Sequence, residues 1–266
     1  MGRQHRISDT KKVSCEGFGG MRIFVINLER RKERLAYMER QLRDLGAVYE
    51  RVDAVDGKLM CQGEKKAVVS WFRWWCVNGY CARDGEIGCA LSHQSVYRMM
   101  VERGLSYACI IEDDIRLDKR LWEVLKAVEE RIGDGGSPEV FLLAPYLHRQ
   151  DAERSEVSFR NVRWAASTGG YVLTRSAAER LLAVNVPLQS TADNWGRWNA
   201  KGGIELYDVN PIVCHQSPYG EVPDDLAFAS DTVDQGTQFV KDMSTLRRLV
   251  YKSGRVVGKF IDKILP

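Results

Sequence analysis

The sequence predicts an α/β protein built on a mixed, mostly parallel sheet flanked by helices. Three observations predict it. Two short apolar runs, Ile23-Phe24-Val25-Ile26-Asn27-Leu28 and Tyr107-Ala108-Cys109-Ile110-Ile111, have the length of strands buried on both faces. Between and after them lie segments with apolar residues three and four apart, the spacing of helices that pack on a sheet. Finally, 44% of the 266 residues are apolar, enough to bury the core of one α/β domain.

In chain order, residues 1–20 are polar and Gly-rich, and a second methionine, Met21, precedes the first strand, so a disordered leader is expected there. The strand at 23–28 runs into a helix over about 29–45, with Leu35, Met38, Leu42 and Leu45 on one face and Gly46 as its stop. A second strand over 47–55 ends at the turn pair Asp56-Gly57. Strand, helix and strand in that order favour a parallel pairing. Residues 58–84 are mixed and carry Trp71-Phe72-Arg73-Trp74-Trp75, whose rings suit either a core plug or a sugar-stacking wall. The next helix, 84–103, sets Ile87, Ala90, Leu91, Gln94, Tyr97 and Val101 in one stripe, with Glu86 and His93 on its flank facing one pocket. After the strand at 107–111, Asp118 reads as the N-cap of a helix that buries Leu121, Trp122, Leu125, Val128 and Ile132 and stops at Gly133. Further strands are expected at 139–144, 162–166, 171–173, 205–209 and 212–214, with a helix beginning near Ser176.

The net charge of +3 conceals an asymmetry, because residues 241–266 alone carry +5. There Leu246, Val250, Val257, Phe260, Ile261 and Ile264 alternate with Arg247, Arg248, Lys252, Arg255, Lys259 and Lys263. Residues 236–266 are accordingly read as a basic amphipathic tail, suited to an anionic membrane surface or to packing on its own domain. Basic residues confined to one end, with no reading motif, argue against a nucleic-acid partner. No stretch has the length of a membrane span and the first 20 residues lack an apolar signal core, so a cytoplasmic protein, peripheral on the inner face of the cytoplasmic membrane, is expected. Seven cysteines in no repeated metal-type spacing are expected as reduced, mostly buried thiols, with a zinc site the lesser alternative, although Cys76, Cys81 and Cys89 lie close in sequence.

The candidate site is the acidic triplet Glu112-Asp113-Asp114 at the carboxyl end of the 107–111 strand, where open α/β sheets bind ligands. Like charges about 4 Å apart repel by roughly 4 kcal/mol at an effective dielectric near 20. Such a triplet is either an acidic turn splayed into water or a seat for a hard cation such as Mg²⁺ or Mn²⁺. Because side chains alternate along a strand, all three cannot be ligands, and Asp114 with Glu112 is the preferred pair.

Several spaced segments resemble glycosyltransferase family 25, the bacterial lipooligosaccharide and collagen galactosyltransferase group. They are Ile23-Phe24-Val25-Ile26-Asn27-Leu28 with Arg30 and Arg34, Asp53-Ala54-Val55-Asp56-Gly57, Gly85-Glu86-Ile87-Gly88-Cys89-Ala90-Leu91-Ser92-His93, and Ile110-Ile111-Glu112-Asp113-Asp114. Weaker echoes at Thr168-Gly169-Gly170-Tyr171, Ala192-Asp193, Pro211-Ile212-Val213 and Ser230-Asp231 extend the likeness over 21–235. The resemblance implies a single GT-A-like, Rossmann-like nucleotide-sugar domain that transfers a hexose, galactose by preference, from a UDP-sugar with inversion, using Mn²⁺ or Mg²⁺. It implies a glycan or lipooligosaccharide acceptor. It assigns Asn27, Arg30, Arg34, Asp56, Gly57, His93 and Asp113 to the donor nucleotide, and Glu112 and Asp114, with His215 as a further ligand, to the metal. Asp193 is the candidate base for the acceptor hydroxyl, and Glu86 the second catalytic candidate. Arg30 and Arg34 read equally as solvated charges and Asp56-Gly57 as a plain turn, while His215 reads better as a surface or core histidine. Alternatives are a metal-dependent nucleotidyltransferase or phosphohydrolase, for which no second acidic cluster stands out, and a membrane-associated sugar-nucleotide-binding protein without turnover.

Overall fold

The computed structural model describes residues 20–144 and 156–216. The expected leader up to residue 19, the Ser230-Asp231 echo and the basic tail lie outside the described residues. The chain runs β1 (Arg22–Asn27), α1 (Lys32–Asp44), β2 (Glu50–Asp53), α2 (Gln62–Val68), α3 (Trp71–Asn78), α4 (Asp84–Glu102), β3 (Tyr107–Glu112), β4 (Ile115–Leu117), α5 (Leu121–Ile132) and β5 (Glu139–Leu142). It continues with β6 (Ser158–Val162), β7 (Gly170–Thr174), α6 (Arg175–Asn185), α7 (Trp195–Gly202), β8 (Glu205–Asn210) and β9 (Cys214–Gln216).

Seven strands form one sheet in the order β2-β1-β3-β7-β5-β8-β6, and β4 pairs with β9 in a small second sheet. β1 is parallel to both β2 and β3, and β5 to β8. The pairings β3–β7, β5–β7 and β6–β8 are antiparallel. The expected mixed α/β sheet is therefore present, with its parallel portion at the β2-β1-β3 end. That end has strands leaving β1 on both sides, a topology that opens a crevice at the strands' carboxyl ends.

Alternation along the strands fills two cores. Ile23, Val25, Cys109 and Ile111 point to one face, where they meet Met38 and Leu42 of α1 and Leu121, Val124, Leu125 and Val128 of α5. Phe24, Ile26, Ala108 and Ile110 point to the other, against Val96, Tyr97 and Met100 of α4, Ala177 and Leu181 of α6 and Trp198 of α7. The sheet is thus covered by helices on both faces, which is why its central strands are apolar without a break. The same alternation sets the directions of the charged residues that follow β3.

Three local expectations need adjustment. Arg120, not Asp118, is the N-cap residue of α5; the Asp118 carboxylate accepts the Arg120 N–H at 2.8 Å, closing the turn just before the helix. The strand expected at 162–166 sits earlier, at β6, because a strand that among the described residues pairs with β8 alone tolerates the polar sequence Ser158-Phe159-Arg160-Asn161. Residues 58–84 hold two short helices, and Trp74 is fully buried with Val69, Ile87, Ala90, Leu188 and Ala192. Trp74 is therefore a core plug, whereas Phe72 is 65% exposed.

Candidate functional site: a carboxylate-floored cleft

A cleft of about 630 Å³, open mouth included, lies at the carboxyl ends of β1, β2 and β3. Its floor is Glu112, Asp113 and Asp114 with the buried Arg34 beside them, and its rim carries Arg30 and Lys58. One wall is the loop after β2, Val55-Asp56-Gly57, seated directly on the first turns of α4. A Cβ on Gly88 would lie 2.5 Å from the Val55 carbonyl oxygen, and one on Gly57 1.8 Å from that of Asp84, so only glycine allows this approach. Ser92 fixes the loop, its Oγ accepting the Val55 N–H at 2.8 Å and donating to the Gly88 carbonyl at 2.7 Å.

The three consecutive acids are sorted by the pleat of β3. Asp113 turns toward α1, where it accepts from Asn27 Nδ2 at 2.6 Å and from Arg34 at 3.4 Å. Asn27 is buried and held in turn, donating to the Arg31 carbonyl and accepting from Arg51. Glu112 turns the opposite way, toward α4, where its Oε1 meets His93 Nε2 at 3.0 Å and accepts the Thr168 hydroxyl at 2.6 Å. His93 is itself buried, its Nδ1 lying 2.8 Å from the Tyr171 hydroxyl, which lies 2.7 Å from that of Tyr97. Among the side chains of the described residues, Asp114 pairs with Arg34, at 3.6 Å.

This sorting shows in the proton affinities. Burial alone would raise Glu112, yet its bonds to His93 and Thr168 and the Arg34 charge hold it below the usual carboxylate range. Asp114 is pushed up to about 7 by burial and by the Glu112 and Asp113 charges, against which Arg34 is insufficient. Burial also raises Asp113, with Asn27 and Arg34 opposing. The floor therefore holds more negative charge than its neighbours neutralise.

The family model described as Glycosyltransferase family 25 (LPS biosynthesis protein) matches residues 21–195, which span every strand and helix that builds this cleft. The chain belongs to glycosyltransferase family 25. It is similar to human procollagen galactosyltransferase 2, 31% identical over 172 residues that make up 61% of this chain and 27% of that protein. The mouse procollagen galactosyltransferase 2 is 31% identical over 212 residues, 75% of this chain and 31% of that protein. Mouse inactive glycosyltransferase 25 family member 3 is 34% identical over 125 residues, 46% of this chain and 21% of that protein. The chain thus spans less than a third of these curated relatives. The crystal structure of A197 from STIV aligns over 71% of this chain and 81% of that one at 12% identity with a TM-score of 0.38, a likeness too low to bear on fold or function.

On this family's cleft the sequence candidates fall into three groups. Arg30, Arg34, Asp56, Gly57, His93, Glu112, Asp113 and Asp114 all line it, with Arg30 bridged to Asp56 at 2.7 Å across the rim. Asn27 stands behind it as a support for Asp113. Glu86, Asp193 and His215 do not line it. The Glu86 carboxylate closes the start of α4, accepting from the Arg83 N–H and the Tyr80 hydroxyl. Glu86 and His93 thus do not share the pocket expected of them. Asp193 lies near enough for its charge to be felt at Tyr80 and Cys89, and its carboxylate has no hydrogen-bond partner among the described residues. His215 lies on β9, paired with Arg116 of β4, and burial and the Arg116 charge depress its protonation. Cys89, Thr168 and Tyr171 fell within segments of the resemblance but were given no site role from sequence. Cys89 had a local signal, being one helical turn before His93 on α4.

The residues present fit a hard divalent cation. The cleft offers carboxylate oxygens with uncompensated charge, the donor set such ions prefer.

Proposed function

We propose that the protein transfers a hexose, galactose by preference, from a UDP-sugar to a glycan acceptor, with inversion at the anomeric carbon and with Mn²⁺ or Mg²⁺ bound by Asp114 and Glu112. The observation that carries this reading is the undercompensated acidic floor beneath a basic rim, at the carboxyl ends of parallel strands, inside the span matched by the family. A bound ion of that kind supplies Lewis-acid neutralisation of the charge that develops on a departing diphosphate. Arg30 and Lys58 reach for the same phosphates from the rim, and the Asp56-Gly57 loop bounds the space for the nucleoside. Arg34 holds Asp113 and Asp114 in place against their mutual repulsion. Asp193, outside the cleft lining but close enough for its charge to bear on Cys89, takes the proton of the attacking acceptor hydroxyl.

Galactose is supported by the procollagen galactosyltransferases among the relatives, and a lipid-borne saccharide acceptor by the family's association with LPS biosynthesis. The basic tail at 236–266 would hold the protein on an anionic membrane on the cytoplasmic side, which its deletion should reveal as lost liposome binding. The test of the main reading is UDP release from a panel of UDP-sugars with an acceptor saccharide. Turnover that requires Mn²⁺ or Mg²⁺ and stops on chelation is expected; equal turnover after chelation overturns the metal role. One relative bears the name of an inactive family member, which favours a second reading, binding without transfer. Calorimetric binding of UDP-galactose with no transfer to any acceptor would establish it.

A further inference from the structure

Along the α4 side of the cleft lies a set of groups that an oxygen-ligated ion does not use. Cys89 and His93 are one helical turn apart on α4, and Glu112 meets them from the end of β3. One sulfur, one imidazole nitrogen and one carboxylate oxygen from these three residues lie within 4.8 Å of one another. The 3.0 Å between His93 Nε2 and Glu112 Oε1 is close to the edge, roughly 3.3 Å, of a tetrahedron with bonds of about 2.0–2.1 Å. His93 is oriented from behind by the Tyr171 hydroxyl at Nδ1, with Tyr97 behind that, the kind of outer support that fixes a ligating imidazole. Cys89 and His93 both line the open cleft, so an ion has a way in. The charges of Glu112, Asp193 and Asp114 all bear on the Cys89 sulfur and draw a cation to it.

We propose that Cys89, His93 and Glu112 form a binding site for a thiophilic divalent cation, zinc in type, chemically distinct from the hard-ion site at Asp114. Sulfur is what separates the two: a cysteine and a histidine favour zinc or cobalt over manganese or magnesium. On binding, the Cys89 thiol gives its proton to solvent and ligates as thiolate. His93 ligates through Nε2 with its proton on Nδ1 toward Tyr171, and Glu112 exchanges its hydrogen bond from His93 for a bond to the ion. Three protein ligands leave the fourth position open to the cleft. Because Glu112 is common to both sites, zinc withdraws it from the cleft floor and opposes the transfer reaction. That last consequence rests on the proposed function; the existence of the site does not.

The test is titration of the full-length protein, freed of metal, with Co²⁺ under ultraviolet and visible absorption. One equivalent is expected to give a thiolate-to-cobalt charge-transfer band that Zn²⁺ abolishes and Mg²⁺ does not. Cys89→Ser and His93→Ala should each weaken binding by at least about tenfold, and Cys89→Ser should remove the band. Cys61→Ser and Cys81→Ser, at exposed thiols, should keep it. No band in the unmodified protein, or a band that survives Cys89→Ser, overturns the proposal. X-ray absorption of the zinc-loaded unmodified protein needs no variant: one sulfur among nitrogen and oxygen neighbours supports the site, and a shell without sulfur overturns it. Neither measurement depends on glycosyl transfer, so a failed transfer assay leaves this result standing.

Discussion

The two walls of the cleft treat neighbouring carboxylates in opposite ways. On the α1 side, Asp113 is enclosed by Asn27 and Arg34 and is fully engaged in holding β1, β3 and α1 together. On the α4 side, Glu112 belongs to a chain of buried polar groups that runs through His93 to Tyr171 and Tyr97. Asp114, between them, has the Arg34 guanidinium at 3.6 Å as its ion-pair partner among the described residues, and a proton affinity far above normal. Three identical charges in sequence thus become a structural acid, a networked acid and an unsatisfied one, and the last is where a ligand has most to gain.

That contrast can be broken most sharply at Asp114. Asp114→Ala is expected to lower sugar transfer by about a hundredfold or more, equivalent to roughly 2.7 kcal/mol of barrier, while the urea midpoint stays the same or rises, since a poorly compensated charge is gone. A variant that unfolds instead would show that Asp114 is structural like its neighbour. Asn27→Ala should do the reverse, costing about 2 kcal/mol of stability by removing the shortest hydrogen bond to the buried Asp113; equilibrium denaturation measures this, and an unchanged midpoint would remove Asp113 from its supporting role.

A smaller effect appears with pH in metal-free protein. Asp114 titrates near 7 when folded and near the ordinary carboxylate value when unfolded, so the native state binds the extra proton between these limits. Stability should fall as pH rises from about 4 to about 7, by at most about 1.4 kcal/mol per pH unit, and Asp114→Asn should flatten that slope. Glu112, lowered instead, loses its contribution only as pH drops below the ordinary carboxylate range, a separate window. The smallest change is at the rim. Arg30→Ala should raise the KM for UDP-sugar about fivefold, near 1 kcal/mol, with stability altered by less than about 0.5 kcal/mol, because its bridge to Asp56 is largely solvated. An unchanged KM would leave Arg30 as a solvated surface charge.

Much of this was legible in the chain. Apolar runs with period-independent burial located β1 and β3, the 3–4 spacing located α1, α4 and α5, and strand alternation already required the acids to diverge. What escaped was long-range. Nothing local in 171–173 says that β7 inserts antiparallel between β3 and β5, since pairing partners are set by the closure of the whole sheet. Asp118 carried cap chemistry but sat one turn position too early, and β6 lacked an apolar run because among the described residues β8 alone pairs with it. Glu86 could not be told from a catalytic acid by sequence, because a helix-opening carboxylate and a reactive one use the same residue. Cys89 went unused because its partner Glu112 lies on a different element, and only the fold brings sulfur and carboxylate together.

Where Gly57 meets Gly88, two stretches of main chain touch with no side chain between them. That wall has no thickness to adjust: a larger residue at either position would pry the nucleoside loop off α4 rather than reshape it. Tuning of which donor fits must therefore come from side chains beside that wall, such as Arg30 and Lys58, which line the cleft and can be exchanged without moving a backbone. A search for altered sugar-nucleotide preference is best begun there.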